Sequence, residues 1–360
     1  MPQVAVRILH PLPDADAGPL VRWVADARGA LAEHHRLGFE SAGAGDVAIV
    51  EGSADGCAFG ARLRVLIEGA PTGGLGGLVV LGSGSIPLAT AADRRAFVQA
   101  AAAGERRALA NNRYSADIVA IARTDQLPVI PDLPGDNALP RWLLEVAGYR
   151  VEDLRRRWRL AVDIDGPLDL VLTGARTAPR GIDLGPVRTR LDGVRHVAGD
   201  PRAELLIAGR TSSTTLAGLE RHTSSRTRAL IEERGMRAAS RLAQADPGAS
   251  APNQRPPASI LGALLDRDGP ESFGSHIARL ADAAIVDTRV LLAHRLGADE
   301  SAWPAAEDRF ASDLLLPDRI ADPWLQALTI SAAAAPIPIL LGGHTLVGPG
   351  VRLIMGRPWR

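Results

Sequence analysis

Lysine is absent: all 41 basic residues of this chain are arginine. That excludes Schiff-base chemistry, a lysine general base and a Walker-type phosphate lysine. Any phosphate bound here is held by arginine, backbone amides or a metal. Cysteine is nearly absent too. With Cys57 alone, the chain can form neither an internal disulfide nor a cysteine-based zinc cluster, and the expected compartment is the reducing cytoplasm. Excess charge is missing, 41 acids balancing 41 bases, so nothing calls for nucleic acid or an anionic membrane as partner. The longest apolar stretch, Leu328 to Leu341, is broken by Pro336 and Pro338 and is too short to span a bilayer. The start lacks a basic segment followed by an apolar one, so no secretory signal is expected. His34-His35 has no ligand-spaced partner for zinc, and Gly82-Ser83-Gly84-Ser85 lacks the Gly-x-Ser-x-Gly frame.

What is present is a regular alternation in 360 residues, enough for two domains of ordinary size. Gln3 to Leu9, Asp46 to Val50, Gly77 to Gly82 and Ser115 to Ala122 read as strands. Pro19 to Leu37, Phe59 to Ile67 and a segment from Ala91 read as helices between them. This pattern predicts an α/β fold, a mostly parallel sheet with helices on both faces. A Gly-, Pro- and Arg-rich connector over 176–192 separates this domain, 1–175, from a second α/β domain over 193–360. There, Ala203 to Gly209, Ala283 into Leu292 and Pro336 to Gly342 carry strand signals, and Glu220 to Arg234 reads as a charged helix face. The Pro/Gly/Ala/Ser-rich run 245–259 reads as a mobile loop.

The densest motif is Trp158-Arg-Leu-Ala-Val-Asp163-Ile-Asp165-Gly-Pro-Leu-Asp169-Leu170. Read as a strand over Arg159 to Ile164, it points Asp163 and Asp165 the same way at the strand's carboxyl end, where open α/β sheets hold ligands. Two such carboxylates suit Mg²⁺ or Mn²⁺ shared with a phosphate. The competing reading is a helix start, with Asp165 or Asp169 capping a first turn that begins Gly166-Pro167.

Other segments carry chemistry of their own. Asn111 and Asn112 can hydrogen-bond a base or sugar and Arg113 can pair with phosphate, unless they form an ordinary Asn-Asn turn. Gly209-Arg210-Thr211-Ser212 follows a strand and opens a helix, offering amides, a cation and hydroxyls to an anion, with Arg226 downstream able to join. Asp287-Thr288-Arg289 and Gly343-His344 sit at further strand ends. His344 is a possible acid/base group, although a lone loop histidine is more often structural.

The first half also resembles a family. Asp163-Ile-Asp165-Gly-Pro-Leu-Asp169-Leu170 is similar to the Asp-x-Asp-Thr-Pro-x-Asp-Leu signature of GT-A type nucleotidyltransferases, which share the nucleotide-diphospho-sugar transferase fold. Gly82-Ser-Gly84-Ser-Ile-Pro87 looks like their Gly-x-Asp-x-Pro strand end, and Gly56 to Leu63 like their glycine-rich helix start. The nearest in character are small guanylyltransferases acting on molybdopterin or phospholactate, over residues 1–175. The resemblance implies a GT-A, Rossmann-like first domain transferring a nucleotidyl group from an NTP to a phosphorylated small molecule. It implies Mg²⁺ or Mn²⁺ at Asp165 and Asp163 as catalytic residues, and nucleotide contacts from Gly82, Ser83, Ser85, Asn111, Asn112 and Arg113. Two departures stand out. The loop after the first strand, His10 to Gly18, carries two acids and no arginine, and Gly84 stands where the family places an acid. They leave open a non-catalytic ligand-binding scaffold whose function lies in the second domain, and glycosyl transfer from a nucleotide sugar.

Overall fold

The computed structural model describes residues 4–52, 57–68, 76–133, 135–233 and 257–356. They divide into two compact units. The first comprises residues up to Ala15 and Ala25–Asp163; the second comprises Asp16–Val24, the stretch from Ile164 to residue 233, and residues 257–356. The division therefore falls at Asp163/Ile164 rather than at 175. Most of the expected loop 245–259 lies outside the described residues.

The first unit is built on a six-stranded sheet: β1 (Val4–Pro11), β2 (Asp46–Gly52), β3 (Gly77–Gly82), β4 (Arg107–Ala110), β5 (Ile118–Ala122) and β6 (Arg150–Asp153), ordered β2-β1-β3-β5-β4-β6. Only β5 runs antiparallel to its neighbours. Alternate residues of a strand face opposite sides, and the core follows that rule. Val4, Val6, Ile8, Val79 and Leu81 pack on one face with Phe39 of helix α1 (Pro19–Ser41) and Phe97 of α3 (Ala91–Ala101). Ala5, Leu78, Val80 and Ile121 pack on the other with Leu63 of α2 (Phe59–Glu68) and Leu143 of α4 (Leu139–Glu145). Each such large apolar side chain contributes about 2 kcal/mol when fully buried. Helices thus cover both faces of a mostly parallel sheet.

The second unit holds a fully parallel four-stranded sheet of β7 (Glu204–Gly209), β8 (Arg226–Ile231), β9 (Ala283–Asp287) and β10 (Ile339–Gly342), ordered β10-β9-β7-β8. Its helices are α5 (Pro167–Thr173), α6 (Gly185–Gly199), α7 (Ser213–His222), α8 (Ile260–Asp268), α9 (Phe273–Ala278), α10 (Thr288–Leu296), α11 (Ala306–Asp313), α12 (Pro323–Ala334), α13 (His344–Val347) and α14 (Gly350–Ile354). Leu205, Ile207 and Ile285 pack on one face and Leu206, Ala208 and Val286 on the other. The expected connector 176–192 contains the start of α6, which buries Val187 and Leu191 in this core. The first turn of α1 also belongs here: Leu20 joins the core, and Glu307 accepts hydrogen bonds from the amides of Leu20 and Val21. Among the described residues no helix is long and apolar enough to cross a membrane.

Two expectations change. Arg159 to Ile164 is not a strand: Trp158–Ala161 forms a 3-10 turn, and only Asp163 pairs, as an isolated bridge to Ser85. The charged run Glu220 to Arg234 is helical only to His222; Arg226–Ile231 is the edge strand β8. Both of its faces are largely exposed, so no apolar period marked it as a strand.

Candidate functional site

In the first unit, β1 connects through α1 to β2 on one side, and the chain then returns to β3 on the other side of β1. Open α/β sheets bind ligands at such a switch point, beyond the carboxyl ends of the strands. A cleft of about 400 Å³ lies there, within the size range of small-molecule sites. Leu9, Val50, Val80, Ile118 and Val119 give it apolar walls, and Phe59 and Arg62 come from the first turn of α2. Glu51, Asp117 and Asp136 supply carboxylates and His10 an imidazole. Gly60 explains why α2 can close one wall: a Cβ there would overlap the backbone of Pro131 and Leu133.

The loop after β3 is braced from several sides. Ser83 is buried, its amide bonding Leu9 O at 2.8 Å and its Oγ lying 3.1 Å from His10 Nδ1. Ser85 is also buried, and its carbonyl accepts from His35 Nε2 at 2.8 Å. A carbonyl only accepts, so Nε2 carries the proton. Burial, followed by the positive charge of Arg94, pushes the His35 pKa down to about 4 and keeps the ring neutral. The next residue, Ile86, has φ +46°, a conformation that is strained for a β-branched side chain.

The nucleotide-contact residues expected from the sequence separate into two groups. Gly82 lines the cleft. Ser83 and Ser85 shape the loop behind it. Asn111 is fully engaged: its Nδ2 donates to Asp117 Oδ2 (2.7 Å) and Leu160 O (2.8 Å), and its Oδ1 accepts from the Asp117 amide (3.0 Å). Its task is to position Asp117, which reaches the cleft in its place. Asn112 Oδ1 accepts from the Tyr114 amide, making the ordinary turn, and Arg113 pairs with Asp153 at 3.4 Å while stacking on Tyr114. Glu51 escaped sequence reading, and Arg62, Asp117 and Asp136 read only as parts of a helix start, a strand and a turn, because no local motif marks residues that converge only through sheet topology.

The metal expectation rested on a strand over Arg159 to Ile164, and no strand forms there. The backbone of Asp163 pairs only as the isolated bridge to Ser85, and the division between units falls between Asp163 and Asp165. Asp169 performs the capping role instead: its Oδ2 accepts from the amides of Asp165 and Gly166, each at 2.9 Å. Among the described residues no group of three or more His, Cys, Asp or Glu side chains is placed to hold a metal ion.

The second unit has its own switch point, between β7 and β9. Gly209 leaves β7 at φ +125°, where a Cβ would overlap Asp287. This turn aims Arg210 at the buried Asp287, with Nε–Oδ2 2.5 Å and Nη2–Oδ1 3.1 Å. Burial pushes Asp287 up, but Arg210, Arg289 and His344 together hold the carboxyl below its ordinary value. Arg289 and Asp313 form a second buried bidentate pair at 2.5 and 2.6 Å; burial opposes the Arg289 charge and Asp313 restores it. Asp169 is pushed up to about 8, first by burial and then by Asp165. His344 faces Arg210 O through Nδ1 at 3.2 Å, so its Nε2 is left as an acceptor. Burial and then Arg210 lower its pKa.

The anion-binding residues therefore change meaning. The Arg210 fork is already occupied by Asp287. Ser212 caps α7 through the Thr215 amide, and the buried Thr211 hydroxyl has no hydrogen-bond partner among the described residues. Arg226 cannot join Arg210: β8 pairs in parallel with β7, placing Arg226 beside Glu204 and Ile231 beside Gly209, so the two arginines lie at opposite ends of the sheet.

Comparison with known proteins leaves the fold to stand on its own geometry. No family model matches the chain, and no curated protein matches it. A solved structure of Mycobacterium tuberculosis shikimate dehydrogenase aligns over 99% of this chain and 95% of its own, at 14% identity and TM-score 0.23. That likeness is too distant to carry an argument. The molecule is an α/β, Rossmann-like protein with two sheets, each with a switch point at its carboxyl edge.

Proposed function

We propose that the first unit is a nucleotide-binding module of nucleotidyltransferase type, taking an NTP in the switch-point cleft and presenting it to a phosphorylated small molecule. The observation that supports this most is the position and lining of the cleft. Its apolar walls suit a base, and Arg62 at the amino end of α2 offers an anion both a guanidinium and the positive end of a helix dipole. Asp117, held by Asn111, offers a hydrogen-bond acceptor to a ring N–H. Mg²⁺ would enter as the counter-ion of the phosphates, and no step is assigned to it. A cytoplasmic setting accords with this reading. Titrating the full chain with GTP, CTP, ATP and UTP plus Mg²⁺ tests it: saturable binding of at least one is expected, weakened about tenfold by Arg62→Gln. Binding of none would end it. A nucleotide-sugar panel with product detection separates nucleotidyl from glycosyl transfer.

A second reading has an observation of its own. Three carboxylates, Glu51, Asp117 and Asp136, face the cleft against Arg62, a balance that opposes a triphosphate. On that reading the first unit is a ligand-binding scaffold and the chemistry belongs to the Arg210–Asp287–His344 cluster. Activity would then survive Arg62→Gln and be lost in His344→Ala.

A further inference from the structure

The second unit carries another concavity, away from its switch point. A bowl of about 620 Å³ lies between the end of α5 and one face of α6. Arg188, Leu191, Asp192 and Arg195 line it at the i, i+3, i+4, i+7 spacing that places residues on one helical stripe. Arg176 reaches it from the segment after α5, and Val171 and Leu191 form an apolar floor.

Many arginines among the described residues meet a carboxylate: Arg7 pairs with Asp46, Arg107 with Glu152, and Arg210 with Asp287. Two of the three in the bowl, Arg176 and Arg188, are different. Arg188 donates through one terminal nitrogen to the carbonyls of Ala175 (3.4 Å) and Arg176 (2.7 Å). Carbonyls orient the guanidinium without cancelling its charge. Arg195 is held by Ile354 O and pairs with Asp192 at 2.9 Å. The Arg176 guanidinium meets no partner among the described residues. Three guanidiniums thus face one carboxylate, and two are pre-oriented by main-chain contacts that leave part of each fork available.

A purely structural account is available for part of this. Arg188 clamps the chain just past the left-handed Gly174 that ends α5. The clamp uses only one nitrogen of the fork, and it gives no reason for Arg176 to carry an unbalanced charge into the same bowl. We propose that this bowl is a binding site for a small molecule bearing a phosphate or diphosphate group, its anionic end held by Arg176 and Arg188 and its carbon portion resting on Val171 and Leu191. Forked donors suit phosphate oxygens, and a chain without lysine has no other side chain of fixed positive charge for the task.

The test uses the full chain and isothermal titration with pyrophosphate, inorganic phosphate and glycerol 3-phosphate at low and physiological ionic strength. Saturable pyrophosphate binding is expected, weakened about tenfold by Arg176→Gln and further by the Arg176→Gln/Arg188→Gln pair, and weakened by salt. The Arg176 side chain is exposed and meets no partner among the described residues, so Arg176→Gln should melt like wild type, which separates lost binding from lost fold. The titration is repeated in Arg62→Gln, which weakens any pyrophosphate binding at the first-unit cleft; the remaining binding should keep its dependence on Arg176, so the nucleotide reading and this one can fail independently. Undiminished pyrophosphate binding by Arg176→Gln, or no saturable binding by wild type, overturns the assignment.

Discussion

Single residues set the electrostatics of both sheet edges. His35 is the clearest case because its ring must stay neutral to donate from Nε2 while accepting, at 3.5 Å, from Arg94 through Nδ1. Its pKa lies near 4 in the folded chain against an ordinary value of 6.5. As pH falls between those values the unfolded chain takes up the proton first, so stability held above pH 6.5 is lost toward pH 4. The linkage amounts to about 2 kcal/mol at pH 5 relative to pH 7. Urea unfolding at the two pH values should show that the loss is smaller by about this amount in His35→Gln, which retains an N–H donor for Ser85 O. An equal loss in both proteins would contradict it. Sequence alone marked His34-His35 only as lacking a metal partner; a buried neutral histidine is defined by Arg94 and Ser85, far along the chain. Asp169 was legible as a helix-opening acid, and it does hold the amides of Asp165 and Gly166.

At the scale of elements, legibility followed burial. β1, β3, β7, β9 and β10 were visible because their residues are buried on both faces and read as apolar runs. β6 and β8 are exposed edge strands rich in charge, so their sequences carry no period for a reader to find. Trp158–Ala161 misled for the opposite reason: an apolar run of that length fits a strand or a tight turn equally well, and packing selected the turn. Glycine positions show where elements touch. Gly209→Ala is expected to destabilise the second unit by roughly 2 kcal/mol or more, because it combines a left-handed backbone with overlap on Asp287. A thermal melt measures this, and it would also release Arg210 from its pairing. A melt indistinguishable from wild type would mean that the β7–β9 approach is looser than described.

In both units the sheets repeat one principle: each reverses its direction of winding after its second strand, and polar side chains gather at the carboxyl edge of that reversal. The first gathers Arg62, Asp117, Glu51 and Asp136 around an apolar cleft; the second gathers Arg210, Asp287, Arg289 and His344 in a buried network. The α/β class could be read from the alternation of apolar runs. The second edge was legible in part, since Arg210, Asp287, Arg289 and His344 each stand at a strand end in the sequence; the first was not, because its members come from segments tens of residues apart. The central claim is that a nucleotide occupies the edge of the first sheet. Hydrogen exchange on the full chain, with and without the best-binding NTP and Mg²⁺, tests this most directly. Protection is predicted at residues 50–52, 59–66, 80–82 and 116–119, and its loss in Val65→Glu, which adds a negative charge at the exposed rim. Protection confined to residues 209–212, 287–289 and 343–345, or none at all, would contradict it.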